Sequence, residues 1–561
     1  MYSNDARLYY KYRSVYIHIG VGFSVVCSGL KVMLELNLTY YAEFNCKQIR
    51  FNTILLSKHT HNMNNSIYIL NPAYFLRNDV RRAVIGTYDY PEMPSGMYDR
   101  NIYYLIHPIT AQMLSFFDGT RNLQENLGLI SDFFDIDILD CEKIIDKYIN
   151  NPETLCIKFE DDYILLPKMV LIECSEAKRT ENYTPEEFEV NGDIDLKTTR
   201  LYRPLKAIIE LNFSCHTDCC YCYADRKNIK AKELVPTEKI LDFIDEIHKE
   251  RIPSIEVNGG EVLMHPNIHE ILIKMSQLGY RPFISTKIPL SDAQLCFLKS
   301  IGIKNIQISI DSLNEDVLIK TLKVKNGYLH RLMQTMDMLD AMQFNWQVNV
   351  VLHKLNVSVD CELSPLLTFL SKYKNLVSIK INPLGYSMYK DSQMFYEFKA
   401  SVEDIENAKT FVSKFAQEIK HIDFVFAEYI CQSDYEQTNK LDKFHRRSIC
   451  SANQKGFVVL PNGEVTICEE LYWNPYFIIG DITKQTISDI WNSKKAKSLF
   501  YMDQNMVSTH SVCKTCKTFI ECRYHQGVCW KMVTMAYGVN SWDYPDPLCP
   551  NAPFPNTRYY Y

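Results

Sequence analysis

The 561-residue chain has no excess of basic charge: 61 Lys and Arg stand against 67 Asp and Glu, for a net charge of −6. That balance gives no reason to expect nucleic acid or an anionic membrane as partner. A run of apolar residues long enough to span a bilayer is also missing. Val15 to Leu30 is fairly apolar, but His18 interrupts it and Lys31 and Glu35 follow, whereas a span needs about 20 apolar residues. No convincing secretory signal is present. Hydrophobic residues at 47% and charged residues at 23% describe a soluble globular protein, long enough for about two to four domains. Its 19 cysteines are not spaced like a disulfide framework. They cluster at x2 and x3 spacings, which argues for metal ligation in a reducing, cytoplasmic compartment.

The most telling absence is a fourth cysteine ligand. Cys215-His216-Thr217-Asp218-Cys219-Cys220-Tyr221-Cys222 has C-x3-C-x2-C spacing and follows the strand-like segment Ala207 to Phe213. That spacing selects Cys215, Cys219 and Cys222 and leaves Cys220 aside. A cubane iron–sulfur cluster has four irons, and closed sites give each one a cysteine. Three thiolates from one loop leave one iron open to a small molecule. Zinc loops more often carry two C-x2-C pairs or Cys/His mixtures; a zinc knuckle or three buried thiols is the plain alternative. The loop resembles the signature of the radical S-adenosylmethionine (radical SAM) enzymes. The resemblance implies a 4Fe–4S cluster whose open iron is chelated by SAM. It also implies reductive cleavage of SAM to methionine and a 5′-deoxyadenosyl radical.

From Leu205 a βα alternation repeats six times, with strands near 206–213, 254–258, 281–285, 304–310, 346–352 and 377–382. Helices fall near 237–250, 267–279, 291–300, 327–342, 362–374 and 403–420. Alternation of this length implies an α/β fold with parallel strands and right-handed crossovers. Six units fit the partial (β/α)6, TIM-like barrel of radical SAM enzymes, with chemistry at the C-terminal strand ends. The second strand ends in Asn258-Gly259-Gly260-Glu261. Two glycines permit close backbone approach, and a carboxylate can hold an ammonium group. This resembles the family's GGE motif, which implies that Glu261 meets the methionyl amine of SAM and that Asn258 faces adenine. Ser309-Ile310-Asp311-Ser312 resembles the family's S-[IL]-D-G stretch, with Ser312 in place of glycine. It implies Ser309 and Asp311 as contacts to the carboxylate and ribose of SAM; capping of the following turn is the plain alternative. Tyr221 occupies the family's aromatic position near adenine. Lys323 and Lys325 are candidate cations for the SAM carboxylate, or else a solvated face.

Residues 1–62 read as an N-terminal extension of uncertain structure, and translation beginning at Met63 fits equally. Residues 63–175 read as a small α+β domain with strands at 66–70, 82–86, 154–160 and 163–166 and three helices, Thr120 capping the second. The string from His107 to Leu127 resembles the PqqD-like winged-helix domain that binds leader peptides. A winged helix more often binds DNA, but residues 98–174 hold 14 acidic and 6 basic residues, a local charge of −8, which phosphates would repel. A peptide adding a strand at a sheet edge needs no basic face. Residues 176–204 read as a polar linker with its hinge at Asn182 to Glu187.

Beyond the barrel, residues 205–430, the C-terminal region 431–561 carries Cys450, Gly463, Cys468, Cys513-x2-Cys516-x5-Cys522, Cys529 and Cys549. This resembles the SPASM domain, which holds auxiliary 4Fe–4S clusters. The resemblance implies one cluster on Cys513, Cys516, Cys522 and Cys549 and another on Cys450, Cys468 and Cys529. Gln526 stands where the family has a further cysteine, and a fourth ligand for the second group is lacking; Cys431 is a distant candidate. A zinc ribbon is the alternative. Glu469, just after Cys468, matches an acidic residue that serves as base in sulfatase maturases of this class, or else faces solvent.

Together these resemblances imply a maturase that abstracts hydrogen from a ribosomally made precursor peptide and installs a thioether or carbon–carbon crosslink. The N-terminal domain would bind the leader, and a flavodoxin or ferredoxin would supply electrons. The alternatives are a sulfatase-maturase-like enzyme acting on a folded protein, and a non-enzymatic zinc-stabilised binding protein.

Overall fold

The computed structural model describes residues 65–561 except 90, 92, 95, 160–161, 175–181, 225–233, 448 and 472–473. The N-terminal extension 1–62, Met63, and the first part of the expected linker lie outside the described residues. The chain divides into two compact units, Met1–Arg203 and Pro204–Tyr561. Among the described residues no helix is long and apolar enough to cross a membrane.

In the first unit, β1 (Ile67–Leu70), β2 (Tyr74–Asn78), β3 (Ala83–Thr87) and β4 (Tyr103–Ile106) precede helix α1 (Pro108–Ser115). Then come β5 (Asp118–Asn122), α2 (Leu123–Phe134), α3 (Ile138–Ile145), β6 (Leu155–Phe159), β7 (Asp162–Leu166) and β8 (Leu171–Glu173). The strands form an antiparallel sheet ordered β2-β3-β4, a second ordered β5-β1-β8, and the hairpin β6-β7. Thr120 does not cap α2. Residues 118–122 pair with β1, and Asn122 closes a capping box with Glu125 one turn on.

Residues 182–203 are not a free linker. The Tyr183 hydroxyl accepts the Leu76 amide at 3.0 Å, and Phe188 is buried in the unit's core. Arg82, fully buried and ion-paired with Asp79 at 2.9 Å, donates to the carbonyls of Asp195, Thr198 and Arg200. The polar composition concealed two aromatic anchors and a run of backbone carbonyls that satisfies a buried guanidinium.

In the second unit the parallel strands are β9 (Lys206–Glu210), β10 (Ser254–Asn258), β11 (Ile284–Thr286), β12 (Asn305–Ser309), β13 (Asn345–Leu352), β14 (Leu376–Pro383) and β15 (Asp423–Phe426). Between them lie α4 (Thr237–Lys249), α5 (Ile268–Gln277), α6 (Asp292–Ser300), α7 (Glu315–Leu322), α8 (Tyr328–Ala341), α9 (Ser364–Leu370), α10 (Ser392–Phe398) and α11 (Val402–Glu418). The sixth helical segment thus leads into a seventh parallel strand, β15, four residues long and too short to stand out in sequence. Strands β11–β15 form one sheet and β9 and β10 belong to another, which the C-terminal region completes. β16 (Gly456–Val459) runs parallel to β9, and β17 (Glu464–Thr466) and β18 (Ile478–Asp481) extend it as antiparallel neighbours. Gly456 is required there, because a Cβ would fall 2.6 Å from the Lys206 carbonyl oxygen.

Side chains alternate across these strands. Ala207, Ile209, Ile255, Val257, Ile306, Ile308, Val348, Val350, Ile379 and Ile381 are buried in the core. The intervening positions, Glu210, Asn258, Gln307, Ser309, Gln347, Asn349, Ser378, Lys380 and Asn382, occupy the opposite, inner face. Parallel strands covered on both sides are usually apolar throughout. Here the face opposite the core is polar at most of these positions.

Candidate active site

The three-cysteine loop leaves the C-terminal end of β9 and is fastened at several points. The amides of Asp218 and Cys220 donate to the carbonyls of Leu322 and Thr321, each at 2.8 Å, and Lys390 Nζ reaches the Cys219 carbonyl at 2.5 Å. The Thr217 hydroxyl lies 3.2 Å from Cys215 Sγ and 3.3 Å from Cys219 Sγ. Burial pushes the Cys219 thiol up to about 11, with Lys287 pulling the other way. Cys220 points elsewhere, into an apolar cluster with Leu384, Phe395 and Phe398.

The exit of β10 lies directly beneath this loop. Gly260 N donates to the Asn212 carbonyl at 2.8 Å, Glu261 N to the Ser214 carbonyl at 2.7 Å, and Asn212 Nδ2 to the Glu261 carbonyl at 3.0 Å. Gly259 adopts φ +132°, and a Cβ there would stand 2.5 Å from the Asn212 carbonyl oxygen. Glu261 is 2% exposed. Its Oε2 accepts the Lys287 amide at 3.3 Å, whereas Oε1 is buried with no hydrogen-bond partner. Burial pushes its carboxyl up to about 7, against hydrogen bonds from Thr286 and the Lys287 backbone.

Asp311 is almost fully buried. It accepts the Val351 amide at 2.8 Å and the Tyr221 hydroxyl, and pairs with Lys287 Nζ at 3.7 Å. Lys287 Nζ lies 3.2 Å from the Tyr221 oxygen. Burial opposes the lysine charge, but Asp311 and then Cys219, Cys215 and Cys222 outweigh it and hold its pKa above the ordinary value. Lys287, its side chain 18% exposed, is therefore a largely buried cation facing the cysteines. Lys323 and Lys325, the candidates for that part, are both exposed. Ser309 ends β12 and is 5% exposed. Ser312 holds Glu362 through its hydroxyl at 2.5 Å. Asn258 Nδ2 donates to Glu469 Oε2 at 3.1 Å, which ties the second strand end to the C-terminal region.

The C-terminal cysteines fall into two neighbourhoods. Burial raises Cys522, to about 12, and Cys549. Cys513 and Cys549 act on Cys522, and Cys513 and Cys516 act on Cys549, so these four are neighbours. Burial likewise raises Cys468 and Cys529, and Cys450 is the cysteine that acts on each. The groups acting on Cys431 are Asp434, Tyr429, Lys443 and Glu406, with no cysteine among them. A small cavity beside Cys450 is lined also by Asn453, Arg523, Gly527, Val528 and Trp530. Arg523 Nη2 lies 3.5 Å from Cys513 Sγ, and its buried Nη1 has no partner.

Residues 209–359 match the Radical SAM superfamily, and residues 450–517 match the iron–sulfur cluster-binding SPASM domain. The chain carries a radical SAM domain followed by a SPASM domain. Among curated relatives, PqqA peptide cyclase of Rhizobium meliloti (strain 1021) is 21% identical over 319 residues, 57% of this chain and 80% of that protein. The antilisterial bacteriocin subtilosin biosynthesis protein AlbA of Bacillus subtilis (strain 168) is 24% identical over 315 residues, 56% of this chain and 65% of that protein. Among solved structures, Streptococcus suis SuiB superposes with a TM-score of 0.57 at 14% identity, covering 86% of this chain and 99% of SuiB. That likeness shows a shared fold.

The protein is a radical SAM enzyme. Its cofactors are a 4Fe–4S cluster and SAM, and its SPASM domain binds iron–sulfur. The residues of the radical SAM domain fit this cofactor pair. Three sulfurs share one fastened loop, the glycine exit lets a ligand approach the backbone, and the orphaned Glu261 Oε1 suits the methionyl ammonium of SAM. Lys287 Nζ, paired with Asp311 at 3.7 Å, is a nearby positive charge that would suit the carboxylate of SAM. In the SPASM domain, the orphaned Arg523 Nη1 suits an anionic sulfide-rich group beside Cys513. Glu261→Gln keeps the shape and removes the charge. It should weaken SAM binding at least tenfold in equilibrium dialysis while iron content stays unchanged.

Proposed function

We propose that the enzyme modifies a ribosomally made precursor peptide, abstracting hydrogen from a core residue and installing a thioether or carbon–carbon crosslink. The observation that carries this reading is the polar inner face of the barrel beneath the cysteine loop, from Glu210 and Asn258 across to Asn349, Lys380 and Asn382. It suits a peptide rich in backbone donors and acceptors. One relative named a peptide cyclase, another named for bacteriocin biosynthesis, and the fold shared with SuiB, which was also solved with precursor peptide SuiA, support it.

When bound, the cluster and SAM supply a 5′-deoxyadenosyl radical that removes hydrogen from the substrate. Cys215, Cys219 and Cys222 hold the cluster, and Glu261 and Lys287 hold the amine and carboxylate of SAM. Tyr221, Asp311 and Ser309 line the nucleoside side, with Asp311 fixing Lys287. In the SPASM domain Cys513, Cys516, Cys522 and Cys549 hold one auxiliary cluster, and Cys450, Cys468 and Cys529 hold a second. Glu469, half-buried and hydrogen-bonded to Asn258, takes a proton from the substrate. The first unit is a PqqD-like, winged-helix-like domain that docks the leader. Its three helices, the hairpin β6-β7 and a local charge of −8 suit a peptide better than DNA. A flavodoxin or ferredoxin in the cytoplasm delivers the electron.

The reading is tested by incubating anaerobically reconstituted enzyme, SAM and reductant with short peptides encoded beside its gene. One peptide should lose two mass units while 5′-deoxyadenosine forms. If every such peptide is unchanged while 5′-deoxyadenosine accumulates, the peptide reading fails. Metal analysis should give roughly twelve irons per chain for three cubanes; stoichiometric zinc without iron would overturn the whole scheme.

A further inference from the structure

Arg523 follows Cys522 in the short helix Cys522–Gln526 and is 6% exposed. Its Nη2 donates to Cys513 Sγ at 3.5 Å and to the Tyr544 carbonyl at 3.1 Å. The rings of Phe519 and Trp530 each stand 5.4 Å from the guanidinium carbon. Nη1 is buried with no partner. The side chain also lines the cavity beside Cys450, but the sulfur it touches is that of Cys513. Lys440 is a second buried cation, 2% exposed. Its Nζ donates to the Ala552 carbonyl at 2.8 Å, and the Ala552 amide is bonded to the Cys549 carbonyl at 2.9 Å. Burial lowers its pKa, and Cys549 works against that. Among the described residues neither cation has a carboxylate within ion-pair distance.

The charges around Cys450, Cys468 and Cys529 are arranged differently. Lys531 pairs with Glu470, and Arg447 pairs with Asp546 at 3.3 Å. Asp546 also accepts the Cys529 amide at 3.3 Å. The cations on that side are matched by acids, whereas those at Cys513 and Cys549 are not. A guanidinium keeps its charge at any accessible pH, and a buried cation is costly unless an anion lies close. Cysteine thiolates holding an iron–sulfur cluster are such an anion. Reduction adds one negative charge to the cluster, and nearby cations and hydrogen bonds to its sulfurs stabilise the reduced state.

We propose that Arg523, assisted by Lys440, sets the reduction potential of the cluster on Cys513, Cys516, Cys522 and Cys549 above that of the cluster on Cys450, Cys468 and Cys529. The four-cysteine cluster is then the first of the two to be reduced. Arg523 and Lys440 act through that cluster and touch no substrate. The inference rests on the assignment of these cysteines to two auxiliary clusters and does not require that the substrate be a ribosomal peptide.

The test is a stepwise reductive titration of the full-length, cluster-reconstituted enzyme, followed by electron paramagnetic resonance. Cys516→Ala and Cys468→Ala each remove one auxiliary signal, and either suffices to assign the pair. The signal missing from Cys516→Ala should be the first of the pair to appear in the wild type. Arg523→Gln should lower the ratio of reduced to oxidised cluster for that signal about tenfold at a fixed potential. Iron content, melting temperature and the potential of the cluster on the Cys215 loop should be unchanged. Lys440→Gln should move the same signal in the same direction, and it carries the test if Arg523→Gln does not fold. Earlier reduction of the signal missing from Cys468→Ala would overturn the proposal, and so would an unmoved signal in either variant. A single auxiliary signal in the wild type would remove the two-cluster assignment and the proposal with it. Failure of every gene-adjacent peptide to change, with the two potentials in the expected order, would instead count against the peptide reading alone.

Discussion

Cys219→Ala should abolish 5′-deoxyadenosine formation, by at least a thousandfold, and remove about four of roughly twelve irons per chain. The loop holds itself in place without this thiol. Lys390 grips the Cys219 carbonyl, and the Asp218 and Cys220 amides are bonded to Leu322 and Thr321. Alanine therefore leaves the backbone path intact and takes away one sulfur. The neighbouring Cys220 cannot replace it, since its side chain is committed to the cluster of Leu384, Phe395 and Phe398. Two thiolates on one short loop hold a cubane poorly, whereas the SPASM cysteines lie on other elements and should keep their iron. Cys220→Ala is the control and should retain both iron and activity. Iron and sulfide quantification with product chromatography reads both variants. Full iron content in Cys219→Ala would show that the loop does not hold the cluster.

Much of this site was legible because its chemistry is written in short, local spacings. The cysteine loop and the glycine exit each fit within about eight residues, and the βα alternation ordered them at strand ends. What sequence could not show depends on partners distant in the chain. Lys287 stands in an unremarked strand-end triplet, and its partner Asp311 lies one βα unit later. Lys323 and Lys325 looked equally cationic because charge is visible in sequence but burial is not. The hydrogen bond from Asn258 to Glu469 joins residues more than 200 positions apart. The strap at residues 182–203 was hidden by averaging, since Tyr183 and Phe188 are two anchors in a polar stretch. Gln307 and Ser309, Gln347 and Asn349, and Ser378, Lys380 and Asn382 alternate with core residues. That period-two pattern in parallel strands points to a polar interior.

Gly260→Ala should be nearly as damaging as loss of a cysteine, by a different route. A Cβ at Gly260 would fall far inside contact distance of the Ser214 carbonyl oxygen and close to the backbone of Phe213. Neither neighbour can yield easily, because both belong to the segment that delivers Cys215. The Ser214 carbonyl also accepts the Glu261 amide at 2.7 Å, so separating the two segments breaks that bond and moves Glu261, the proposed contact to the SAM amine. One methyl group thus disturbs the cluster loop and the Glu261 carboxyl together. Backbone displacement of this kind is ordinarily a matter of about 1–3 kcal/mol at each strained residue, while misplacement of reacting groups by about 1 Å costs on the order of a hundredfold in rate. The variant should fold, show a lowered melting temperature, and bind SAM at least tenfold more weakly. It should form 5′-deoxyadenosine at least a hundredfold more slowly. Gly385→Ala, with open space around its Cβ position, is the matched control and should leave all three measurements unchanged. Wild-type SAM affinity in Gly260→Ala would show that the exit of β10 tolerates a side chain and that the close approach of the two segments is not needed for SAM binding.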